Sequence, residues 1–351
     1  MRSRYHQLAL ALGAFFGAAL LAAGLAAEVP IEDCLACHVD ETLTMTFDDG
    51  DEMSLFVDEE TYLASVHGEA LVCTDCHHGY EDDHPGGREI ASRRDYVIAS
   101  YDLCKQCHFD TYTRTLESVH YEYLSEGLDV VPVCADCHGA HDVQDPHEKS
   151  VMISRSCGTC HEDVYKVYKR SVHGAALSET NQDIPGCADC HTAHVIAHPD
   201  SVRFRLVSPE TCMRCHGDGE LTAKYGMLST VATTYLADFH GVTASLAAAS
   251  AAEPEQLVVV CIDCHGYHDI ASPSLVGKEE MARRVEAACA SCHEDATPDF
   301  SAAWLSHYPP DLDRAPLVFL VRLFYRVFIP FMVAGLLLQV GMHLYRVGSR
   351  R

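Results

Sequence analysis

The chemistry of this 351-residue chain lies in its cysteines. All eighteen fall in nine copies of Cys-x-x-Cys-His. The copies are Cys34, Cys37 and His38; Cys73, Cys76 and His77; Cys104, Cys107 and His108; Cys134, Cys137 and His138; and Cys157, Cys160 and His161. Then come Cys187, Cys190 and His191; Cys212, Cys215 and His216; Cys261, Cys264 and His265; and Cys289, Cys292 and His293. No cysteine remains for a disulfide or a catalytic thiol. The spacing has a chemical reason. Two thiols separated by two residues add to the two vinyl groups on one porphyrin edge, and the histidine that follows lies under the ring and ligates iron. Each motif is read as an attachment site for c-type haem, so the expected cofactor is nine covalently attached haem c. A single Cys-x-x-Cys also occurs in zinc sites and dithiol redox pairs. Zinc ribbons do not place a histidine directly after the second cysteine of every pair.

An iron that only carries electrons needs a sixth ligand. Fourteen histidines lie outside the motifs. His67, His120, His173, His240 and His307 occupy one recurrent place, at the end of a short helical pattern. His141, His194 and His268 stand three residues after a motif histidine. The second motif breaks that pattern with Tyr80, which leaves its ligation in doubt and makes His84, or His78, the candidate to complete the set. A histidine three residues after a proximal one lies on the same side of that haem. His141, His194 and His268 are therefore expected to ligate iron in a neighbouring haem. The other five could serve their own haem or an adjacent one. His147 and His198 are read as solvated. Tyr62, Tyr112, Tyr165, Tyr168, Tyr235 and Trp304 are read as packing on porphyrin faces.

The elements that position these residues repeat. Cys104, His120, Cys134 and His141 recur as Cys157, His173, Cys187 and His194, each shifted by 53 residues. Looser copies surround them, giving repeats near 34–80, 104–154, 157–207, 212–270 and 289–312. The expectation is four haem pairs and one single haem. The chain between its ends is too short to wrap a conventional core around nine porphyrins. The predicted fold is mostly α with low regular secondary structure, a haem-packed multihaem cytochrome c built from repeated haem pairs, with little or no sheet.

Both ends are apolar. Arg2 and Arg4 precede an apolar stretch from Leu8 to Ala26, which reads as a signal peptide over 1–27. An uncleaved anchor is the alternative reading. Either way the haem region, 28–312, is exported, and the expected compartment is the periplasm. Val327 to Tyr345 is nineteen residues without a formal charge, long enough for one transmembrane helix. Residues 313–351 are thus read as an interfacial segment, a membrane helix and a short cytoplasmic tail. The net charge of −26 excludes nucleic acid as a natural partner and keeps a haem-rich surface soluble.

The arrangement CxxCH…SxxH…CxxCHxxH resembles the multihaem cytochromes c of anaerobic and metal-respiring bacteria. The tail FYRVFIPFMVAGLLLQVGMHLYRV is similar to that of inner-membrane multihaem cytochromes paired with a b-type, quinol-oxidising membrane subunit. The resemblance implies a single-pass protein that carries electrons from a quinol-oxidising partner to periplasmic cytochromes or reductases. Hydroxylamine oxidoreductase and the octahaem nitrite and tetrathionate reductases resemble the chain in haem packing, but need one iron with an open site. No CxxCK motif is present. Nine distal candidates for nine irons favour a carrier, with no catalytic residue assigned.

Overall fold

The computed structural model describes residues 29–78, 90–145, 150–178, 180–181, 183–250, 258–297, 300–301 and 307–349. The expected signal segment lies outside the described residues, as do Tyr80, His84, His147 and Trp304. Regular structure is mostly helical, with nineteen helices and one two-stranded sheet among the described residues. More of the chain is helical than loops wrapped on haem would require, because each motif is a helix or sits at the end of one. The contacts divide the chain into two units. One comprises residues 1–157 and 193–196, the other 158–192 and 197–351.

Two kinds of helix carry the motifs. Odd-numbered motifs lie at the C-terminal end of a helix that starts upstream: Ile31–His38, Tyr101–Cys104, Ser150–Cys160, Val202–His216 and Lys278–Ala290. Even-numbered motifs are their own helices of about one turn: Cys73–Cys76, Cys134–His138, Cys187–His191 and Cys261–His265. A helix that short cannot nucleate on propensity alone. Its start is fixed by an aspartate at the third helical residue. Asp75, Asp136, Asp189 and Asp263 accept hydrogen bonds from the N–H of Val72, Val133, Gly186 and Val260 at 2.8, 2.8, 2.7 and 2.7 Å. This is the reciprocal half of a capping box.

In the first unit, Thr44–Thr46 and Glu52–Ser54 form an antiparallel hairpin, with Met45 opposite Met53. The turn needs positive φ at Gly50 (92°). Phe47 beside the hairpin is buried and lies 6.3 Å from the Tyr96 ring. In the second unit, Ala244, Val258 and Val260 form a small core, packed by Leu206, Tyr235, Ala247 and Ile262. Only eight hydrophobic residues are buried among the described residues. Protein side chains alone therefore supply little interior for this length.

The last helix, Pro316–Gly348, has 33 residues and a mean hydropathy of 2.0 over its best window, and is long and apolar enough to cross a membrane. At 1.5 Å per residue it is about 50 Å long against a hydrocarbon core of about 30 Å. The interfacial stretch expected before Val327 is thus part of the same helix, with Arg322 and Arg326 inside it.

Candidate haem-binding sites

The chain brings histidines together two at a time. In the first unit the ring centroids of His67 and His108 are 6.2 Å apart, those of His77 and His141 6.0 Å, and those of His138 and His194 6.0 Å. In the second unit His173 and His216 are 6.1 Å apart, His191 and His268 5.8 Å, His240 and His293 6.4 Å, and His265 and His307 5.9 Å. Every pair joins one motif histidine to one from outside the motifs. The spacing has a chemical meaning. An imidazole reaches a metal through a bond of about 2 Å, so two axial imidazoles on one metal have centroids about 6 Å apart. Among the described residues no three His, Cys, Asp or Glu side chains converge as a bare ion would need. Two opposed imidazoles beside a free cysteine pair fit haem, and do not fit a zinc site.

Burial pulls His138, His141, His173, His191, His194, His216, His265, His268 and His307 below the ordinary histidine range. The imidazoles are thereby held neutral, the form that ligates a metal. His38 takes a different contact: its Nδ1 lies 2.7 Å from the Leu55 carbonyl oxygen, which fixes the ring orientation. The first cysteines of consecutive motifs also meet. Cys34 is hydrogen-bonded to Cys73, Cys104 to Cys134, and Cys212 to Cys261. Burial pushes the Cys190 and Cys264 thiols up to about 11.

The supporting residues follow the repeat. Five residues before the outer histidine stands a tyrosine whose hydroxyl donates to the carbonyl two residues ahead of the next even motif. Tyr62 donates to Leu71 (2.9 Å), Tyr168 to Pro185 (2.5 Å) and Tyr235 to Val259 (3.2 Å). These three tyrosines contact the backbone as well as bordering the motifs. The residue before each Ser-Val-His histidine is tied down too. Val66, Val119 and Val172 donate N–H to the carbonyls of Val143, Ile196 and Ile270, two residues after His141, His194 and His268. Glycine follows His67, His173 and His240, and a Cβ there would overlap the carbonyl of Tyr62, Tyr168 or Tyr235. Arginines brace two even motifs. Arg94 bonds Asp136 (2.9 Å) and the carbonyls of Asp129 and Val131, and Arg205 holds Asp263 through two nitrogens (2.8 and 3.0 Å) and the Val258 carbonyl (2.9 Å).

Two points that the sequence left open take a definite arrangement. The second motif was expected to have uncertain ligation because Tyr80 replaces a histidine, yet its His77 faces His141. The reason is that the CHxxH histidines face an earlier motif, so a gap after motif two is not a gap opposite motif two. His307 was grouped with His67, His120, His173 and His240, but it faces backwards, to His265. His293, nearer to it in sequence, faces His240. His120 lies in the helix Val119–Ser125 and His240 in Phe239–Ala249, whereas His67, His173 and His307 lie in turns. His78 is exposed and lies 3.0 Å from Gln106 Oε1, and His198 accepts from the Asp200 N–H at 3.4 Å. The carboxylates of the CxDCH motifs, the glycines and the arginine braces were not anticipated. The alternation of CxDCH in motifs two, four, six and eight was the sequence signal for the first of these.

A family model described as "Doubled CXXCH motif" matches residues 255–298, which hold the eighth and ninth motifs. No curated protein and no solved structure matches the chain. The doubled motif indicates a multihaem c-type cytochrome, an electron-transfer protein with covalently attached haem c.

Proposed function

We propose that the chain is a nonahaem cytochrome c of the periplasm, anchored by its C-terminal helix. It relays electrons between a quinol-oxidising membrane partner, such as a b-type cytochrome, and periplasmic redox acceptors in anaerobic respiration. The observation that carries this reading is the set of seven opposed imidazole pairs. A relay needs each iron held by two protein ligands, whereas substrate chemistry needs one left open. When bound, haem supplies a reversible one-electron couple at each motif. The cysteine thiols would attach it, the motif histidines and their partners would ligate the iron, and the capped short helices would fix the attachment edge at the even-numbered motifs. The helix Pro316–Gly348 holds this assembly at the membrane. Among the described residues one helix is long and apolar enough to cross a membrane, and a membrane haem b held between two helices would come from a partner subunit.

Mass spectrometry of the mature protein tests the cofactor count: nine haems are expected, and fewer, or bound zinc, would overturn it. Electron paramagnetic resonance (EPR) of the oxidised protein tests the carrier reading. A high-spin ferric signal that shifts with nitrite, hydroxylamine or cyanide would favour an oxidoreductase instead. Docking is tested by cutting the chain before Leu317. The soluble product is expected to keep its haem spectrum and lose reduction by quinol in membranes that contain the partner; equal rates would show that the helix is only a tether.

A further inference from the structure

The seven imidazole pairs sort into two series that run in opposite directions. In the first, the histidine after an odd-numbered motif faces the next odd-numbered motif: His67 faces His108, His173 faces His216, and His240 faces His293. In the second, the histidine after an even-numbered motif faces the even-numbered motif before it: His141 faces His77, His194 faces His138, and His268 faces His191. His307 completes this second series by facing His265. The ring planes separate the same two sets. Forward pairs are tilted by 55°, 51° and 54°. Backward pairs are tilted by 37°, 23°, 34° and 18°.

Resting on the multihaem reading above, we propose that the distal ligands are woven, given forward between odd-numbered haems and backward between even-numbered haems, with His307 the ligand of haem eight and not of haem nine. The weave explains three features of the sequence. Tyr80 stands where a CHxxH histidine is missing because no even motif precedes the second one to receive it. No CxxCH motif lies between the ninth one and the helix Pro316–Gly348 to supply a CHxxH histidine to motif eight, and His307 takes that place. The two strands of the weave are fastened where they cross: the backbone bonds Val66–Val143 (3.0 Å) and Val172–Ile270 (2.8 Å) tie a forward histidine's segment to a backward one's. None of the seven pairs joins a histidine to a motif of its own repeat. His307 also lies nine residues before the membrane helix begins at Pro316, so the chain leading into the membrane caps the eighth haem.

The tilt gives the weave a spectroscopic consequence. Near-parallel imidazole planes split the two iron orbitals that π-bond to them, and a larger tilt reduces that splitting and increases g anisotropy. Odd-numbered haems are therefore expected to show larger g anisotropy than even-numbered ones, in two low-spin populations.

The decisive experiment places His307→Gly in three full-length backgrounds. These are the native chain, a chain lacking haem eight (Cys261→Ser with Cys264→Ser), and a chain lacking haem nine (Cys289→Ser with Cys292→Ser). EPR is expected to show one new high-spin haem in the native and haem-nine-less backgrounds and none in the haem-eight-less one. Added imidazole is expected to return that signal to low spin. The reverse assignment, or no high-spin haem in a fully loaded His307→Gly protein, would overturn the weave and leave the carrier reading standing. A high-spin signal in the unmodified protein, or a haem count below nine, would instead count against the carrier reading. If a cysteine variant does not mature, the unmodified protein decides by its low-spin spectrum: two populations support the weave and a single one overturns it.

Discussion

Residues 104–141 and 157–194 carry the same histidines in strict register, yet almost everything that supports those histidines differs. Five residues before the outer histidine, the second copy has Tyr168, whose hydroxyl bonds the Pro185 carbonyl, and the first has Thr115, which bonds its own helix at Tyr112. After the outer histidine the second copy has Gly174, pressed against the Tyr168 carbonyl, and the first has Tyr121. After the even motif the first copy has Gly139 at φ 76°, and the second has Thr192 at φ 63°, the one non-glycine residue with positive φ among those described. Arg94 braces the Asp136 carboxylate, whereas Arg214 reaches only the backbone carbonyl of Asp189 (2.5 Å). On the proposed reading the histidines keep their register because two imidazoles must meet across one metal. The scaffold drifts freely because capping, bracing and close packing are interchangeable ways of stabilising the same turn.

Four pairs of substitutions test that comparison, read as shifts in denaturant midpoint of the haem-loaded protein. The largest effect is expected from Gly174→Ala. Its new Cβ meets the Tyr168 carbonyl, and backbone cannot yield as a side chain can, so the loss is about 3 kcal/mol. Tyr121→Gly in the first copy should do little; a comparable loss there would mean that the two copies share a constraint not visible in their contacts. Next comes Asp136→Ala, which removes the cap on Val133 and leaves the Arg94 guanidinium without its carboxylate. A cap is worth about 1 kcal/mol. The ion pair adds about 1 kcal/mol, since both side chains keep part of their exposure (26% and 35%) and solvent screens them. Asp189→Ala, without that arginine contact, should lose only the cap, about 1 kcal/mol.

A smaller loss, about 1 kcal/mol, is expected for Tyr168→Phe, which deletes one half-buried hydrogen bond to Pro185. Tyr235→Phe provides an internal check, because it deletes the same bond to Val259; an unchanged midpoint in both would show that these tyrosines act through ring packing. The last effect has the opposite sign. Thr192→Gly relieves a side chain from the left-handed region and should stabilise the second copy by about 1 kcal/mol, less the entropy that glycine gains when unfolded. Gly139→Thr, the mirror change, should destabilise the first copy, since a Cβ there also meets the Asp142 side chain.

The sequence by itself pointed to the cofactor class and marked the motif cysteines and histidines as the candidates to hold it. Those are local facts: two thiols and an imidazole within one helical turn meet one porphyrin edge wherever that turn is placed. It also showed the 53-residue repeat, the mostly helical character and the apolar C-terminal segment, because periodicity and composition survive without tertiary contacts. Only the folded chain decided which histidine faces which. The partners are roughly 40 to 80 residues apart in sequence, and neither spacing nor residue type distinguishes His307 facing His265 from His307 facing His293. The support around the motifs was half legible. The aspartates of the CxDCH copies were visible as an alternation, but that each caps a helix of about one turn, and that Arg94 and Arg205 close on two of them, depends on loops being brought together by folding. On the proposed reading, covalent attachment is encoded by neighbours in the chain and iron ligation by neighbours in space.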